Sequence, residues 1–268
     1  MLHGALFGST DNLMRADLVA QDLVPLVQPY NTDDEPLYIS RFQHVGGGNE
    51  VTSNAVLTAN TGTPDGIVDW VFIELRNATD SVTVFRTISA LVQRDGDVVD
   101  AATGGALNIN DLPDEFFIVV KHRNHLGAMT ASTVETVNSI ATFDVTTAGG
   151  ADLYDDGTLY NGLEQVSISG HRALWAGNSN ADGKVKYDGT FNDRIIIAGD
   201  VLLAFGNGSN TLNFNNAVEY YQGDINMDGK AKYDGFGNDR ILLQAITLSY
   251  ILNTSYLNNY DLLIEQIK

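Results

Sequence analysis

Runs of β-branched and aromatic residues, separated by turns rich in Gly, Asn and Asp, fill the chain between residues 40 and 146. Short strands that alternate with turn-forming residues are typical of an antiparallel sandwich. The pattern therefore predicts a β-sandwich with strands at residues 68–75, 82–92, 116–122 and 140–146.

A helical pattern precedes these strands. Ser9 offers a cap oxygen at its start, and Pro25 and Pro29 close it. The sequence therefore predicts one helix over residues 9–28, because apolar residues recur between these limits at helical spacing: Leu13, Met14, Leu18, Val19 and Leu23.

A polar stretch at residues 149–157 interrupts the apolar pattern and suits a domain edge. We therefore expect a helix and β-sandwich domain over residues 1–150 and a second domain over residues 151–268.

The second half contains an internal repeat with an offset of 46 residues. Residues 178–194 read NSNADGKVKYDGTFNDR and residues 224–240 read DINMDGKAKYDGFGNDR, with no gap between the copies and 11 of 17 positions identical. An apolar run follows each copy, at residues 195–205 and 241–252, and its length suits a helix of about three turns. A repeated loop followed by a helix is therefore the unit of this half.

The repeated loops carry the oxygen pattern of a calcium site. Calcium takes six to eight oxygen ligands, which one loop supplies from side chains at positions 1, 3 and 5, a sharp turn at position 6 and a backbone carbonyl at position 7. Gly183 and Gly229 stand at position 6, where the turn needs a residue without a Cβ. The candidate ligands are Asn178, Asn180, Asp182 and the Lys184 carbonyl in the first loop, and Asp224, Asn226, Asp228 and the Lys230 carbonyl in the second.

The closing carboxylate has two candidate positions in each loop, because position 12 is glycine in both. One is position 11, Asp188 or Asp234. The other is position 16, Asp193 or Asp239, which we favour because a carboxylate there also meets the dipole of the following helix. Asp188 and Asp234 are then candidate further ligands.

The paired loop–helix units resemble dockerin modules, and more closely the variant dockerin-like repeat of large secreted surface proteins of Bacteroidetes. Residues 68–75, 91–100 and 122–127 resemble the domain that precedes this repeat in those proteins, and residues 116–120 resemble the last strand of transthyretin-like domains. The resemblance implies a transthyretin-like or immunoglobulin-like sandwich followed by an α-helical dockerin-like pair that binds calcium. Four residues inserted before the last acid depart from true dockerins.

Charge and composition narrow the function. A net charge of −19 disfavours nucleic acid and anionic membranes as partners, and the absence of Cys excludes disulfides and thiolate chemistry. Nucleophile-elbow, zinc-protease, P-loop and dinucleotide motifs are absent from the sequence, so we expect no enzyme.

Two other polar clusters have simpler explanations. Asp95, Asp97 and Asp100 are either a further cation site or a hairpin turn with solvated acids, and we favour the turn. His122 and His125 are either a metal pair or part of a structural turn. We favour the turn, because on a strand end these two side chains are expected to point to different faces.

The sequence therefore predicts a calcium-stabilised, non-enzymatic structural or adhesive module, extracellular or on the cell surface. The expected partners are Ca²⁺ and other surface or filament proteins, including further copies of the chain, with no membrane insertion. Two alternatives stay open: a carbohydrate-binding or carbohydrate-active accessory module, and a dockerin-type protein-docking module.

Overall fold

The computed structural model of the chain describes residues 1–31, 36–168 and 170–268. The helices are α1 (His3–Leu6), α2 (Asp17–Ala20), α3 (Pro36–Arg41), α4 (Asn54–Thr58), α5 (Arg194–Leu203) and α6 (Asp239–Ser249). The strands are β1 (Ile67–Asn77), β2 (Val84–Gln93), β3 (Val98–Val99), β4 (Glu115–His122), β5 (His125–Met129), β6 (Val134–Glu135), β7 (Val166–Ile168), β8 (His171–Ala173), β9 (Ala217–Val218) and β10 (Lys230–Ala231). In the described part of the chain, no helix has the length and apolarity needed to cross a membrane.

The main sheet is antiparallel and six-stranded, in the order β3-β2-β1-β4-β5, with β6 also paired to β4. Ile73 at the middle of β1 lies opposite Ile88 of β2 and Val120 of β4. The predicted β-rich character and three of the four predicted strands are confirmed, as β1, β2 and β4.

β1 lies at the centre of the sheet and is buried on both faces from Ile67 to Arg76. On one face, the Phe72 ring packs edge-on against Tyr30 and Phe42, at 5.3 and 5.4 Å between ring centroids. On the other face, Asp69 accepts a hydrogen bond from the Tyr220 hydroxyl at 2.5 Å. Among the described residues the other two sheets have only two strands each. Loops and short helices therefore cover the main sheet where the sandwich prediction placed a second sheet.

The predicted helix over residues 9–28 is wrong. Only α2 is helical there, because Asn12 and Asp22 both adopt φ of 62°, outside the right-handed helical region. The Met14 amide donates to the Arg94 carbonyl at 2.9 Å, so its hydrogen bond goes to the sheet unit instead of to a helical turn. The apolar residues of the pattern are core contacts of an irregular segment.

The predicted strand over residues 140–146 is also wrong. Asn138 and Ser139 have φ of 51° and 64°, which turns the chain sharply before Ile140. Further on, the Asp144 carboxylate accepts hydrogen bonds from the Thr146 amide at 2.8 Å and the Thr146 hydroxyl at 2.7 Å. A local side-chain turn therefore replaces strand pairing here.

Contacts between the two halves of the chain are extensive. The main apolar core joins Leu2 and Trp70 to Leu174 and Met227. A second core packs Trp175 and Leu243 together with Leu126 of β5. These contacts bring the repeated loops against the sheet. The division at residue 150 stays a prediction.

Candidate calcium site

The two loops share one backbone conformation. Ala181 and Met227, at position 4, both adopt the left-handed region with φ of 60° and 57°. Gly183 and Gly229, at position 6, have φ of 79° and 88°, which a residue without a Cβ adopts without strain. The 46-residue sequence repeat is therefore also a repeat of backbone geometry.

Side chains at positions 1 and 5 fold inward over their own loop. Asn178 accepts a hydrogen bond from the Gly183 amide at 3.2 Å, and Asp224 accepts one from the Gly229 amide at 2.9 Å. Asp182 accepts from the Lys184 amide at 2.9 Å, and Asp228 accepts from the Lys230 amide at 3.0 Å. The side-chain oxygens at positions 1 and 5 of both loops thus accept hydrogen bonds from backbone amides of their own loop.

The position 16 acids close both loops in the same way. Asp193 accepts from the Asn180 amide at 3.2 Å and from the Lys186 amide at 2.7 Å. Asp239 accepts from the Asn226 amide at 3.2 Å and from the Lys232 amide at 2.8 Å. Both side chains are fully buried, so each carboxylate spans positions 3 and 9 at the centre of its loop.

The position 11 acids lie elsewhere. Asp188 pairs with Arg194 and Asp234 pairs with Arg240, each at 2.9 Å. Both carboxylates are about half exposed, with side-chain exposures of 50% and 48%. The structure therefore brings the position 16 acid, and not the position 11 acid, to the other predicted ligands.

The position 7 residues take part in a reciprocal exchange of backbone pairing, in which each lies opposite a residue of a distant segment. Lys184 lies opposite Ile264, in the segment that follows α6, and the flanking bond runs from the Val185 amide to the Leu263 carbonyl at 2.9 Å. Lys230 lies opposite Val218, in the segment that follows α5. Because Val185 bonds outward, the backbone groups of Lys184 face the loop interior. Each loop is thus paired to the segment that follows the other loop's helix.

Electrostatics inside the loops are unfavourable for bare carboxylates. Burial raises the pKa of Asp193 well above its usual range, and the neighbouring Asp182 raises it further. Burial, with a contribution from Asp228, raises the pKa of Asp224 to about 7. Burial and the charge of Asp224 raise the pKa of Asp239 well above its usual range. A bound cation would relieve both the burial and the repulsion.

The chemistry of the donor set fits calcium. Within the described residues, no three His, Asp or Glu side chains converge closely enough to hold a metal on their own. The loops supply a mixture of carboxylate, amide and backbone oxygens, and calcium accepts such mixtures in flexible geometry. The first loop also holds a buried Asn192 side-chain oxygen without a hydrogen-bond partner, so one of its acceptors is unsatisfied.

No protein-family model, curated protein or solved structure matches this chain.

The histidine pair belongs to a buried hydrogen-bond network. The expectation that the two rings point to different faces is wrong, since the Nδ1 atoms of His122 and His125 lie 2.9 Å apart. His125 Nε2 accepts from the Gly4 amide at 3.0 Å, and His122 Nε2 lies 3.1 Å from the Asp69 carboxylate. Asp69 lies on β1, 53 residues before His122 in the sequence, and β1 pairs with β4, the strand that ends at His122.

Arg123 and Asn124, between these histidines, join the network to the second loop. Arg123 donates to the Tyr221 carbonyl, and its guanidinium lies 4.3 Å from the Tyr220 ring centroid. Asn124 donates to the Asp224 carbonyl at 2.8 Å. From the sequence we favoured a structural turn for residues 122–125. The only sequence feature that indicated a buried network was the run of four polar residues between two apolar strands.

The acidic cluster near residue 95 forms turns. Asp95 accepts from the Asp97 amide at 3.2 Å, and Asp100 accepts from the Thr103 amide at 2.9 Å. Burial, with the charge of Asp95, raises the pKa of Asp97. These bonds match the favoured turn interpretation.

An open cleft of about 440 Å³ lies apart from the loops, along β2. Its lining combines Phe85 and Arg86 of β2 with Glu50, Asp100 and Asn108. The cleft therefore offers hydrogen-bond donors, acceptors and one aromatic ring.

Proposed function

We propose that this chain is a calcium-stabilised, non-enzymatic structural module of a secreted cell-surface or filament protein. In this proposal a β-rich sheet unit is followed by a dockerin-like pair of calcium loops. The observation that carries it is the matched burial of Asp193 and Asp239. Each is a fully buried carboxylate at the centre of a loop lined with further oxygens.

The ligands in this proposal are Asn178, Asn180, Asp182, the Lys184 carbonyl and Asp193 in the first loop, and Asp224, Asn226, Asp228, the Lys230 carbonyl and Asp239 in the second. Calcium would neutralise carboxylates that otherwise repel one another. An extracellular setting suits such sites, since calcium modules outside the cell work at dissociation constants of about 10⁻⁴–10⁻³ M.

Thermal unfolding with calcium and with chelator tests the proposal. A ligand that binds only the folded state at about 100 times its dissociation constant adds about 2.7 kcal/mol to the free energy of unfolding. We expect a higher melting temperature with calcium and a smaller rise with magnesium, which demands stricter octahedral geometry. The double variant Asp193→Asn, Asp239→Asn is the control and should lose the response. Identical melts of the unmodified chain with and without calcium would contradict the proposal.

A docking role is the second candidate, and matched exposed apolar residues favour it. Ile195 and Ile241, which share one repeat position, are 60% and 53% exposed, and Phe205 and Ile251 share another at 97% and 68%. Sedimentation of the calcium-loaded chain at increasing concentration tests one form of this role, self-association. The variant Phe205→Ser, Ile251→Ser is the comparison, and unchanged monomeric sedimentation of both proteins would argue against self-association.

Glycan binding is favoured only by the cleft along β2, where Arg86, Glu50 and Asn108 surround the Phe85 ring. A glycan array probed with the chain and with Arg86→Ala tests it. Binding that survives calcium chelation but is lost in Arg86→Ala would support this alternative.

A further inference from the structure

The second loop is held from outside by two side chains of the N-terminal segment. Arg15 donates from Nη2 to the Asn226 carbonyl at 2.7 Å, and Gln21 donates from Nε2 to the Asp228 carbonyl at 2.7 Å. More than 200 residues separate each donor from its acceptor. These bonds join residues that flank α2 to the rim of the second loop.

The two carbonyls belong to positions 3 and 5, whose side chains are proposed ligands. A peptide unit is planar, so fixing a carbonyl direction also restricts the backbone rotations beside it. Hydrogen bonds to the Asn226 and Asp228 carbonyls therefore restrict the directions in which both side chains can point. Such restriction lowers the entropy that a flexible loop loses when it binds an ion.

Gly229 has a second role in this contact. A Cβ built on Gly229 would lie 2.4 Å from Gln21 Nε2, so only glycine allows Gln21 to approach here. At the matching Gly183, the nearest atom to such a Cβ is 3.7 Å away, on Glu265. The close approach to an N-terminal side chain is thus particular to the second loop.

The first loop is held differently. Among the described hydrogen bonds, none runs from a side chain to the carbonyl of Asn180 or Asp182, which match those of Asn226 and Asp228. Its outer contacts are backbone bonds to the segment after α6, among them one from the Glu265 amide to the Gly183 carbonyl at 2.8 Å and one from the Val185 amide to the Leu263 carbonyl at 2.9 Å. The two loops are therefore attached to opposite ends of the described chain.

We propose that Arg15 and Gln21 are positioning residues of the second calcium site. The inference rests on the proposed calcium function. Coupling between two equilibria is reciprocal. If the hydrogen bonds from Arg15 and Gln21 strengthen calcium binding, then calcium bound in the second loop also stabilises these bonds and the conformation of residues 15–21. The two effects of replacing Arg15 have opposite signs. Removing its positive charge near a cation site should strengthen calcium binding by Coulomb attraction alone, whereas loss of its hydrogen bond to the loop should weaken calcium binding.

Calcium titration in single-site backgrounds tests this inference. Asp182→Ala leaves the second site to be measured, and Asp228→Ala leaves the first. In the Asp182→Ala background we expect Arg15→Ala and Gln21→Ala each to weaken calcium binding about three- to tenfold. This is the change in affinity that corresponds to the net free energy of one hydrogen bond. Arg15→Lys, which keeps a donor and the charge, should recover part of the loss. In the Asp228→Ala background neither change should alter affinity by more than about twofold.

Arg86→Ala is the charge-matched control, because it removes a positive charge on β2 away from the loops and should leave calcium binding at its original affinity. Amide exchange gives an independent readout: calcium should slow exchange at residues 15–21 in Asp182→Ala and not in Asp228→Ala. Equal weakening of both sites, tighter binding by Arg15→Ala, or unchanged affinity would overturn the inference while leaving calcium binding intact. Absence of calcium binding by the unmodified chain would overturn the proposed function and this inference together.

Discussion

At the scale of single residues, the two loops differ in charge more than in shape. The first offers two carboxylates, Asp182 and Asp193, while the second offers three, Asp224, Asp228 and Asp239. Burial raises the pKa of Asp193 and Asp239, so both would be costly as bare anions. Charge count is one of the two properties that tune calcium affinity in such loops, the other being rigidity.

The choice between positions 11 and 16 leads to a first prediction. Asp193→Asn should weaken calcium binding at the first site on the order of 100-fold, because it removes the central carboxylate of the loop. Asp188→Asn should change affinity less than about threefold, since it breaks only an exposed ion pair with Arg194. Calorimetric titration of both variants in the Asp228→Ala background measures the difference. The reverse order would assign the closing ligand to position 11.

A second prediction concerns the order of filling. The second site should bind calcium more tightly, because its third carboxylate adds attraction for the ion. Asp228→Ala should therefore remove the tighter of two calorimetric events, and Asp182→Ala the weaker one. The opposite assignment would show that charge count does not decide affinity here.

At the scale of elements, the predictions were right where a local sequence pattern determines the helix or strand. β1, β2 and β4 follow from dense β-branched and aromatic runs, and α5 and α6 follow from apolar runs after a repeated loop. The failures at residues 9–28 and 140–146 share a cause. In both places, left-handed residues such as Asn12 and Ser139 break the element, and tertiary or turn hydrogen bonds replace it. Hydrophobic periodicity does not record such bonds.

The structural repeat extends further than the sequence repeat. After α5, Asn207 donates to the Val201 and Thr211 carbonyls at 2.7 and 3.0 Å. After α6, Asn253 donates to the Thr247 and Leu257 carbonyls at 2.8 and 3.0 Å. The offset of 46 persists through these turns and through the paired segments beyond them. It was missed because few side chains there are identical, although the Asn pair was a visible signal.

These two asparagines give a matched prediction. Each turn directs its segment to the opposite loop, so Asn253→Ala should weaken the first calcium site and Asn207→Ala the second. Each change removes buried hydrogen bonds and should also lower the free energy of unfolding by about 2 kcal/mol. Calcium titration of each variant in the two single-site backgrounds measures the crossover. Weakening of the adjacent site alone would contradict the reciprocal exchange.

At the scale of the whole molecule, polar contacts join parts that are distant in sequence. The Gly4 amide, His125, His122 and Asp69 form one buried chain of hydrogen bonds, and Tyr220 donates to the same carboxylate. Apart from His122 and His125, which lie three residues apart, the partners are distant in sequence and meet only once the chain has folded. The network explains why loops and sheet lie against each other, which the sequence alone did not predict.

Burial of the His3 side chain leads to a prediction about stability in acid. Burial lowers the pKa of His3 to about 4, below the value of about 6.5 for an unfolded chain. The unfolded chain therefore binds more protons between these values, and stability is lost as the pH falls from about 6.5 towards 4. For His3 alone, the loss at pH 5.5 relative to pH 7.5 should be roughly 1 kcal/mol.

His3→Phe tests this contribution. The ring stays beside Phe7 and Trp175, whose centroids lie 4.4 and 5.6 Å from that of His3, while the titrating group and an unpartnered buried nitrogen disappear. We expect the variant to raise the melting temperature of the calcium-loaded chain more at pH 5.5 than at pH 7.5. His171→Phe is the control for replacing a histidine elsewhere, because His171 is only partly buried in the β7–β8 hairpin. An equal gain at both pH values in His3→Phe would mean that packing, and not proton uptake, sets the contribution of His3.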